Sequence, residues 1–267
     1  MISLNLTNNQ EGVSKVLGYI LIFAIVITSV GIVVTFGFPM LNTARDSVDF
    51  QKNKNKLKIL QNDLSELSMG PIRGGGLSIN RLFNIETGSL ELNSTKANLK
   101  VYKNESLIYE NSIGEIKYLF NNKIISIQNN GLFSKSKGTT SSTYLMMPPF
   151  FGEMMNSSSA YINFHIINFS GESTTFSGTR EIYFKNKDFN IVTEAGNVSE
   201  TSNLTINLET NYVGGWEKAF RNQLEDTNMN YSITRTADNI TLRITNTSDK
   251  NDILLNVYES KINFRLQ

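Results

Sequence analysis

The hydrophobic residues of this chain follow two patterns: one long apolar run near the start and short alternating runs after residue 76. The apolar run covers residues 16–38, contains no charged side chain and lies between Lys15 and Pro39. A helix of this length extends about 34 Å, which exceeds the ~30 Å hydrocarbon core of a bilayer. We therefore predict a transmembrane helix over residues 16–38, since a buried helix of a soluble domain would need apolar neighbours on every face.

A second helical pattern follows the apolar run. Its leucines recur every three or four residues, at Leu57, Leu60, Leu64 and Leu67. This spacing predicts an amphipathic helical extension over residues 39–70, with a kink at Pro39 and an end near Pro71, because proline lacks the backbone N–H that a helix interior requires. The alternating lysines and asparagines of residues 52–58 are predicted to form a solvated helix surface.

Beyond residue 76, apolar and polar residues alternate in short runs, which is typical of β-strands. Turn residues predict hairpins at Asn104-Glu105, Asn121-Asn122 and Asn129-Asn130-Gly131. Residues 212–224 have helical spacing instead, with Trp216 and Phe220 on one face. A polar linker at residues 139–143 separates a first β half, residues 77–138, from a second β half, residues 144–267. The predicted fold class is α+β: a long N-terminal transmembrane α-helix followed by a mainly antiparallel β ectodomain with one short helix.

Composition narrows the chemistry. The chain has 267 residues, a net charge of +1, a single histidine and no cysteine. A net charge this close to zero produces no strong positive field that would attract nucleic acid. The absence of cysteine excludes disulfides and thiolate metal sites. The chain has no nucleophile elbow, Walker loop or zinc-binding His-Glu-x-x-His helix. We therefore expect no enzyme activity, no catalytic residue, no cofactor and no metal site.

Three apolar or aromatic features have structural interpretations. His165 lies within an alternating run, where a lone histidine is more often a surface or core residue than a catalyst. Trp216 is expected to anchor the short helix on the sheet. The apolar, proline-containing segment of residues 146–151 fits either an exposed contact surface or a buried crossover between the β halves.

The order of these features resembles archaeal type IV pilins and pilin-like secreted proteins. A polar leader, residues 1–15, with Gly12 followed by Val13, precedes the apolar helix and resembles a class III signal. The Gly-rich break, the strands, the Pro-Pro segment and the residues Tyr212, Gly215, Trp216 and Phe220 resemble the ectodomain of such proteins. The resemblance implies cleavage after Gly12, retention of the helix and a β domain outside the cell.

The distribution of basic residues predicts the opposite orientation. Lys15 is the only basic residue before the apolar run, whereas five basic residues follow it, at Arg45, Lys52, Lys54, Lys56 and Lys58. By the positive-inside rule these residues would keep the β domain in the cytoplasm. We adopt the outer orientation, which rests on the resemblance.

Two sets of residues are candidate sites. Small residues recur along one face of the membrane helix and could permit close helix packing, at Ala24, Thr28, Gly31 and Thr35. Sequons for N-glycosylation occur after the helix at Asn93, Asn104, Asn156, Asn168, Asn197, Asn203, Asn230, Asn239 and Asn246.

These observations indicate an archaeal single-span, pilin-like envelope protein with a structural or adhesive role, which includes that of a filament subunit. The alternative is a membrane-anchored binding module that does not assemble into filaments. The expected partners are membrane lipid and, through the N-terminal helix, further copies or other pilin-like subunits. Nucleic acid is not an expected partner.

Overall fold

A computed structural model describes most of the chain and confirms the predicted fold class, a long apolar N-terminal helix followed by a mostly antiparallel β-sheet domain with one short helix. The described residues are 8–73, 78–154, 159–193, 199–201, 203–225, 227, 229–245 and 252–267.

The N-terminal helical region has three parts. Helix α1 is Asn8–Ile32, a π-helical segment follows at Val33–Gly37, and helix α2 is Phe38–Arg73. The residues of the predicted cleavage site, Gly12 and Val13, lie within α1. Helical structure therefore begins before the predicted start of the membrane span.

The irregularity predicted at Pro39 lies just before that residue. Pro39 is the second residue of α2, and the π-helical segment ends two residues earlier, at Gly37. A proline ring inside a helix clashes with the carbonyl of the residue four positions before it, here Thr35, and proline leaves that carbonyl without a donor. The wider π turn accommodates this defect, and the helix resumes as α2.

The chain divides into two compact units, Met1–Gln51 and Lys52–Gln267. The first unit contains α1, the π-helical segment and the start of α2. The second unit contains the rest of α2 and the strands. Both predicted β halves contribute strands to one sheet of this second unit.

The described residues form thirteen strands and, between the tenth and the eleventh, helix α3, Val213–Leu224. The strands are β1 Ser78–Lys103, β2 Ser106–Phe120, β3 Lys123–Gln128, β4 Gly131–Ser136, β5 Ser142–Met146, β6 Phe150–Met154, β7 Ser159–Ser170, β8 Thr174–Ile191, β9 Ser199–Thr201, β10 Asn203–Glu209, β11 Asn230–Arg235, β12 Asn239–Thr245 and β13 Asp252–Leu266.

All described strands belong to one sheet, whose main order is β5-β4-β3-β2-β1-β8-β13-β7-β6. The last six residues of β1, Asn98 to Lys103, also pair with β10, which begins a branch continued by β12 and β11. Among the described strand pairs, only β7 with β13 is parallel. Long β1 therefore belongs to both the main path and the branch.

The predicted hairpin turns are confirmed. Asn104 and Glu105 join β1 to β2, Asn121 lies between β2 and β3, and Asn129 and Asn130 join β3 to β4, all with positive φ values between 44° and 67°. Asparagine tolerates this left-handed conformation better than most residues, because its short amide can bond to nearby backbone. The asparagine content of the chain therefore has a local structural use.

The second unit has two buried layers, one on each face of the sheet. On one face, the described part of α2 after residue 51 buries its four periodic leucines, Leu57, Leu60, Leu64 and Leu67. On the other face, α3 packs Trp216 against Phe133 and Phe220 against Phe150, with ring centroids 5.3 and 5.2 Å apart. Burying a leucine or an aromatic side chain contributes about 1.5–3 kcal/mol, so these layers hold both helices on the sheet.

The predicted solvated surface at residues 52–58 is wrong in part. Asn53 is buried and its amide donates to the Tyr118 hydroxyl at 2.9 Å. Lys56 is half-buried and donates to the Asn84 carbonyl at 3.0 Å. The sequence pattern missed these contacts because long β1 and β2 reach beneath this part of α2 and supply polar partners.

Candidate functional site

The apolar part of the N-terminal helix is the largest exposed hydrophobic surface of the described chain. One helical window is long and apolar enough to cross a membrane, and none of that window is buried. Even its large side chains are open, with Phe23 66% and Phe36 69% exposed. Water does not favour such a surface, whereas lipid does, so this helix fits a membrane span.

The small-residue face of this helix is accessible. Ala24, Thr28, Gly31 and Thr35 are exposed, and apart from the adjoining backbone of its own helix, a Cβ atom built on Gly31 would have no heavy atom within 4 Å. The Thr28 hydroxyl donates to the Ala24 carbonyl of the same helix at 2.7 Å. A second helix could therefore approach this face without leaving the Thr28 hydroxyl unpaired.

His165 is a buried core residue rather than an exposed reactive group. It is 2% exposed, and its Nε2 lies 2.8 Å from Ser260 Oγ. Ser260 Oγ donates to the Ser68 carbonyl of α2 at 2.9 Å, so we assign the Nε2 proton to His165 as the donor to Ser260. Burial lowers the pKa of His165 to about 4, which keeps the imidazole neutral near pH 7.

The interpretation of Trp216 as a core anchor is confirmed. Trp216 is 1% exposed and its indole N–H donates to Gln128 Oε1 at 3.0 Å. Thr210 donates to the same Gln128 oxygen at 2.7 Å. Phe133 packs so closely on α3 that a Cβ atom at Gly215 would lie 2.6 Å from its ring. Glycine is therefore required at this position.

Two buried carboxylates each accept a tyrosine hydroxyl. Glu115 accepts from Tyr212, and Glu259 accepts from Tyr109 at 2.7 Å. Burial, followed by the charge of Glu115, raises the pKa of Tyr212, and burial with the Glu259 bond raises the pKa of Tyr109. Both phenols remain protonated donors, so each pair forms a polar contact inside the core.

These carboxylates were not singled out from the sequence. Glu115 and Glu259 lie in strands β2 and β13, where a polar residue among apolar neighbours is usually a solvent-facing position. The sequence signals these contacts only by containing the partner tyrosines, Tyr212 and Tyr109. The pairing of the strands decides whether each tyrosine reaches its glutamate. In the described part of the chain, no three His, Cys, Asp or Glu side chains form a group that could hold a metal ion.

A polar cavity of about 380 Å³ opens beside α3. Its lining includes the serine and threonine residues 140–142 and the charged residues Glu217, Lys218 and Arg235. Arg235 donates to Glu217 at 2.6 Å. A neighbouring cavity of about 510 Å³ shares Lys218 and contains Tyr144. The two cavities offer donors and acceptors for a small polar ligand.

The segment of residues 146–151 combines the two interpretations that the sequence left open. Phe150 is buried and its ring packs edge-on against Phe164 at 5.8 Å. The next residue, Phe151, is 43% exposed. The segment is thus a partly buried connection from β5 to β6 with one exposed aromatic ring.

The predicted sequons occupy different environments. Asn168 is buried, Asn93, Asn203 and Asn239 are half-buried, and Asn104 and Asn230 are exposed. The remaining predicted sequons lie outside the described residues, at Asn156, Asn197 and Asn246.

Comparison with known proteins gives one match. A family model described as "Family of unknown function (DUF7289)" matches residues 11–263. No curated protein and no solved structure matches the chain.

Proposed function

The chain belongs to this family of unknown function, DUF7289, and we propose that it is a single-span, pilin-like envelope protein. In this proposal the apolar helix anchors a β-rich domain on the outer face of an archaeal membrane. Its role is structural or adhesive and extends to that of a filament subunit. The mature chain would begin at Val13, after cleavage at Gly12.

The exposed apolar helix is the observation that carries the proposal. A helix of this length with no buried residue in its apolar window needs lipid or other helices around it. Its face of small residues, which includes Ala24 and Gly31, supports helix–helix contact in the same layer. Membrane lipid and further pilin-like subunits are accordingly the proposed partners.

The second unit supports an extracellular structural role. It combines a continuous sheet with two buried layers, and neither buried Glu–Tyr pair has an adjacent histidine base in the described contacts. A stable, Asn-, Ser- and Thr-rich β domain suits exposure to the medium. We therefore propose no enzymatic step.

A membrane-anchored binding module that does not assemble is the second candidate. The polar cavity beside α3 favours it, because hydroxyl-bearing residues and the Glu217–Arg235 ion pair both line its volume of about 380 Å³. A small polar ligand could exchange hydrogen bonds with both sets of residues. Negative-stain microscopy of surface preparations separates the candidates, since only a filament subunit forms fibres.

External protease tests the proposed orientation. When intact cells are treated with trypsin, we expect the domain after residue 76 to be digested while the membrane helix is retained. The measurement is an immunoblot against the β domain, with a cytoplasmic protein as the control for cell integrity. Protection of the domain until lysis would reverse the orientation and agree with the positive-inside count.

A further inference from the structure

Strand β11 has one open edge. It pairs with β12 along residues Asn230 to Arg235, and its other edge pairs with no described strand. Helix α3 contacts β11 as well as the edge strands β5 and β6. The sequence of β11, NYSITR, has no proline and places its only charge at Arg235, which is bound to Glu217 at 2.6 Å.

An open edge of this kind is a template for unwanted strand pairing. Natural proteins protect such edges with charges, prolines, bulges or a covering element. Within β11 the exposed side chains before Arg235 are Asn230, Ser232 and Thr234, which carry no charge. A bulky polar group added to the strand would protect this edge.

The strand itself contains an acceptor for such an addition. Asn230, Tyr231 and Ser232 form a sequon, and residues two apart in a strand share a face. Tyr231 packs against the core, so Asn230 and Ser232 lie together on the exposed face. We propose that Asn230 carries an N-linked oligosaccharide that shields the open edge of β11.

Other sequons have amides that are already engaged. The Asn168 amide is buried and lies 3.5 Å from Glu259 Oε1. The Asn239 amide donates to Asn207 Oδ1 at 3.0 Å. A glycan on Asn168 would have to displace packed neighbours, so a chain carrying it could not complete this fold.

The two exposed sequons also differ. In the β1–β2 hairpin, Asn104 has a φ of 47° and its Oδ1 accepts the Asn203 backbone N–H at 3.1 Å. The Asn230 side chain makes no hydrogen bond to another described residue. An edge strand can also leave its sheet locally at low cost, which an acceptor segment must do to enter a transferase.

The transfer itself requires a lipid-linked oligosaccharide as co-reactant. The Asn230 amide nitrogen forms a bond to the anomeric carbon, and the bond from that carbon to the lipid-phosphate oxygen breaks. The lipid phosphate leaves with the electron pair, and a base of the transferase takes the amide proton. This step rests on the proposed outer location of the domain, because membrane-bound donors are used on that side.

Glycopeptide mass spectrometry of the full chain, purified from the organism that encodes it, tests the proposal. Trypsin releases residues 222–235 as a peptide with Asn230 in its single sequon. We expect this peptide to carry a glycan and the Asn168 sequon to be unmodified. Asn230→Gln and Ser232→Ala should each lose that glycan completely, while Asn168→Gln should leave the glycan mass unchanged.

The role as a shield has a separate readout. With all variants purified in the same detergent, Asn230→Gln and Ser232→Ala should both shift the chain to larger species in light scattering. Adding Thr234→Lys to either variant should reverse the shift. An unmodified Asn230 in a domain that external protease digests would overturn the glycan and leave the proposed function intact. An unmodified Asn230 in a protected domain would overturn both. Loss of the glycan without any shift in size would overturn the shield.

Discussion

At the scale of single residues, buried polar side chains of the second unit form hydrogen bonds that connect α2 to the sheet. Asn53 on α2 donates to Tyr118, and Ser260 on β13 connects His165 to the Ser68 carbonyl. These hydrogen bonds are directional, so they fix the register of α2 on the sheet, which leucine packing alone would leave adjustable. Removing one partner would leave a buried polar group without a hydrogen bond, which would lower the unfolding free energy by about 1–3 kcal/mol.

Stability should therefore depend on pH through His165. The pKa of His165 is about 4 in the folded chain against about 6.5 when unfolded. Between these values the unfolded chain binds the proton and the folded chain does not, so the unfolding free energy falls as pH falls, by about 3 kcal/mol in total. Urea unfolding in detergent at pH 7 and pH 4.5 measures this loss. His165→Asn should lose less stability over the same interval, and equal losses would exclude His165 as the cause.

The membrane helix allows a test on one glycine. Gly31→Leu should fold normally, because the Cβ position is open, yet it should weaken self-association by about 1–2 kcal/mol if the small face is a contact. A membrane two-hybrid assay measures the change. Ile25→Leu, off that face and also exposed, is the matched control. Equal signals from wild type and both variants would show that assembly depends on the outer domain.

At the scale of elements, the surroundings of α2 differ along its length. Its early residues adjoin the π-helical segment, whereas in the part after residue 51 leucines and hydrogen-bonded polar side chains are buried against the sheet. Between residues 52 and 69, its exposed residues are polar apart from Ile59, which is 57% exposed. The same helix thus offers buried and exposed apolar positions for comparison.

Leu64→Ala should lower the unfolding free energy by about 2–5 kcal/mol, because Leu64 is fully buried and its removal leaves a cavity. Ile59→Ala, five residues earlier and exposed, should change stability by no more than about 0.5 kcal/mol. Fluorescence of Trp216, the only tryptophan, reports unfolding in urea. Similar losses for the two variants would contradict the packing of α2 on the sheet.

The elements were largely predictable from local signals. The leucine period gave the extension of the helix, and asparagine turns gave three hairpins, because both depend on neighbours in sequence. Strand order was not predictable, since the pairing of β1 with β8 and β10 joins residues about a hundred positions apart. For the same reason the burial of Glu115, Glu259 and Asn53 could not be recognised.

At the scale of the whole molecule, sequence and structure agree on an apolar helix joined to a β-rich domain. The protease experiment described above tests the proposed orientation of this domain. The glycan inference depends on that orientation, whereas the tests of His165 and Leu64 do not. These two tests therefore examine the fold independently of the proposed function.

The position of β13 has a consequence for biogenesis. This strand lies between β8 and β7, and its parallel partner β7 precedes it by about ninety residues. The sheet therefore stays divided until residues 252–266 have been synthesised, and the unfinished edges of β7 and β8 remain exposed meanwhile. A chain that stops before residue 252 therefore cannot join β7 to β8 through β13 and cannot complete this sheet.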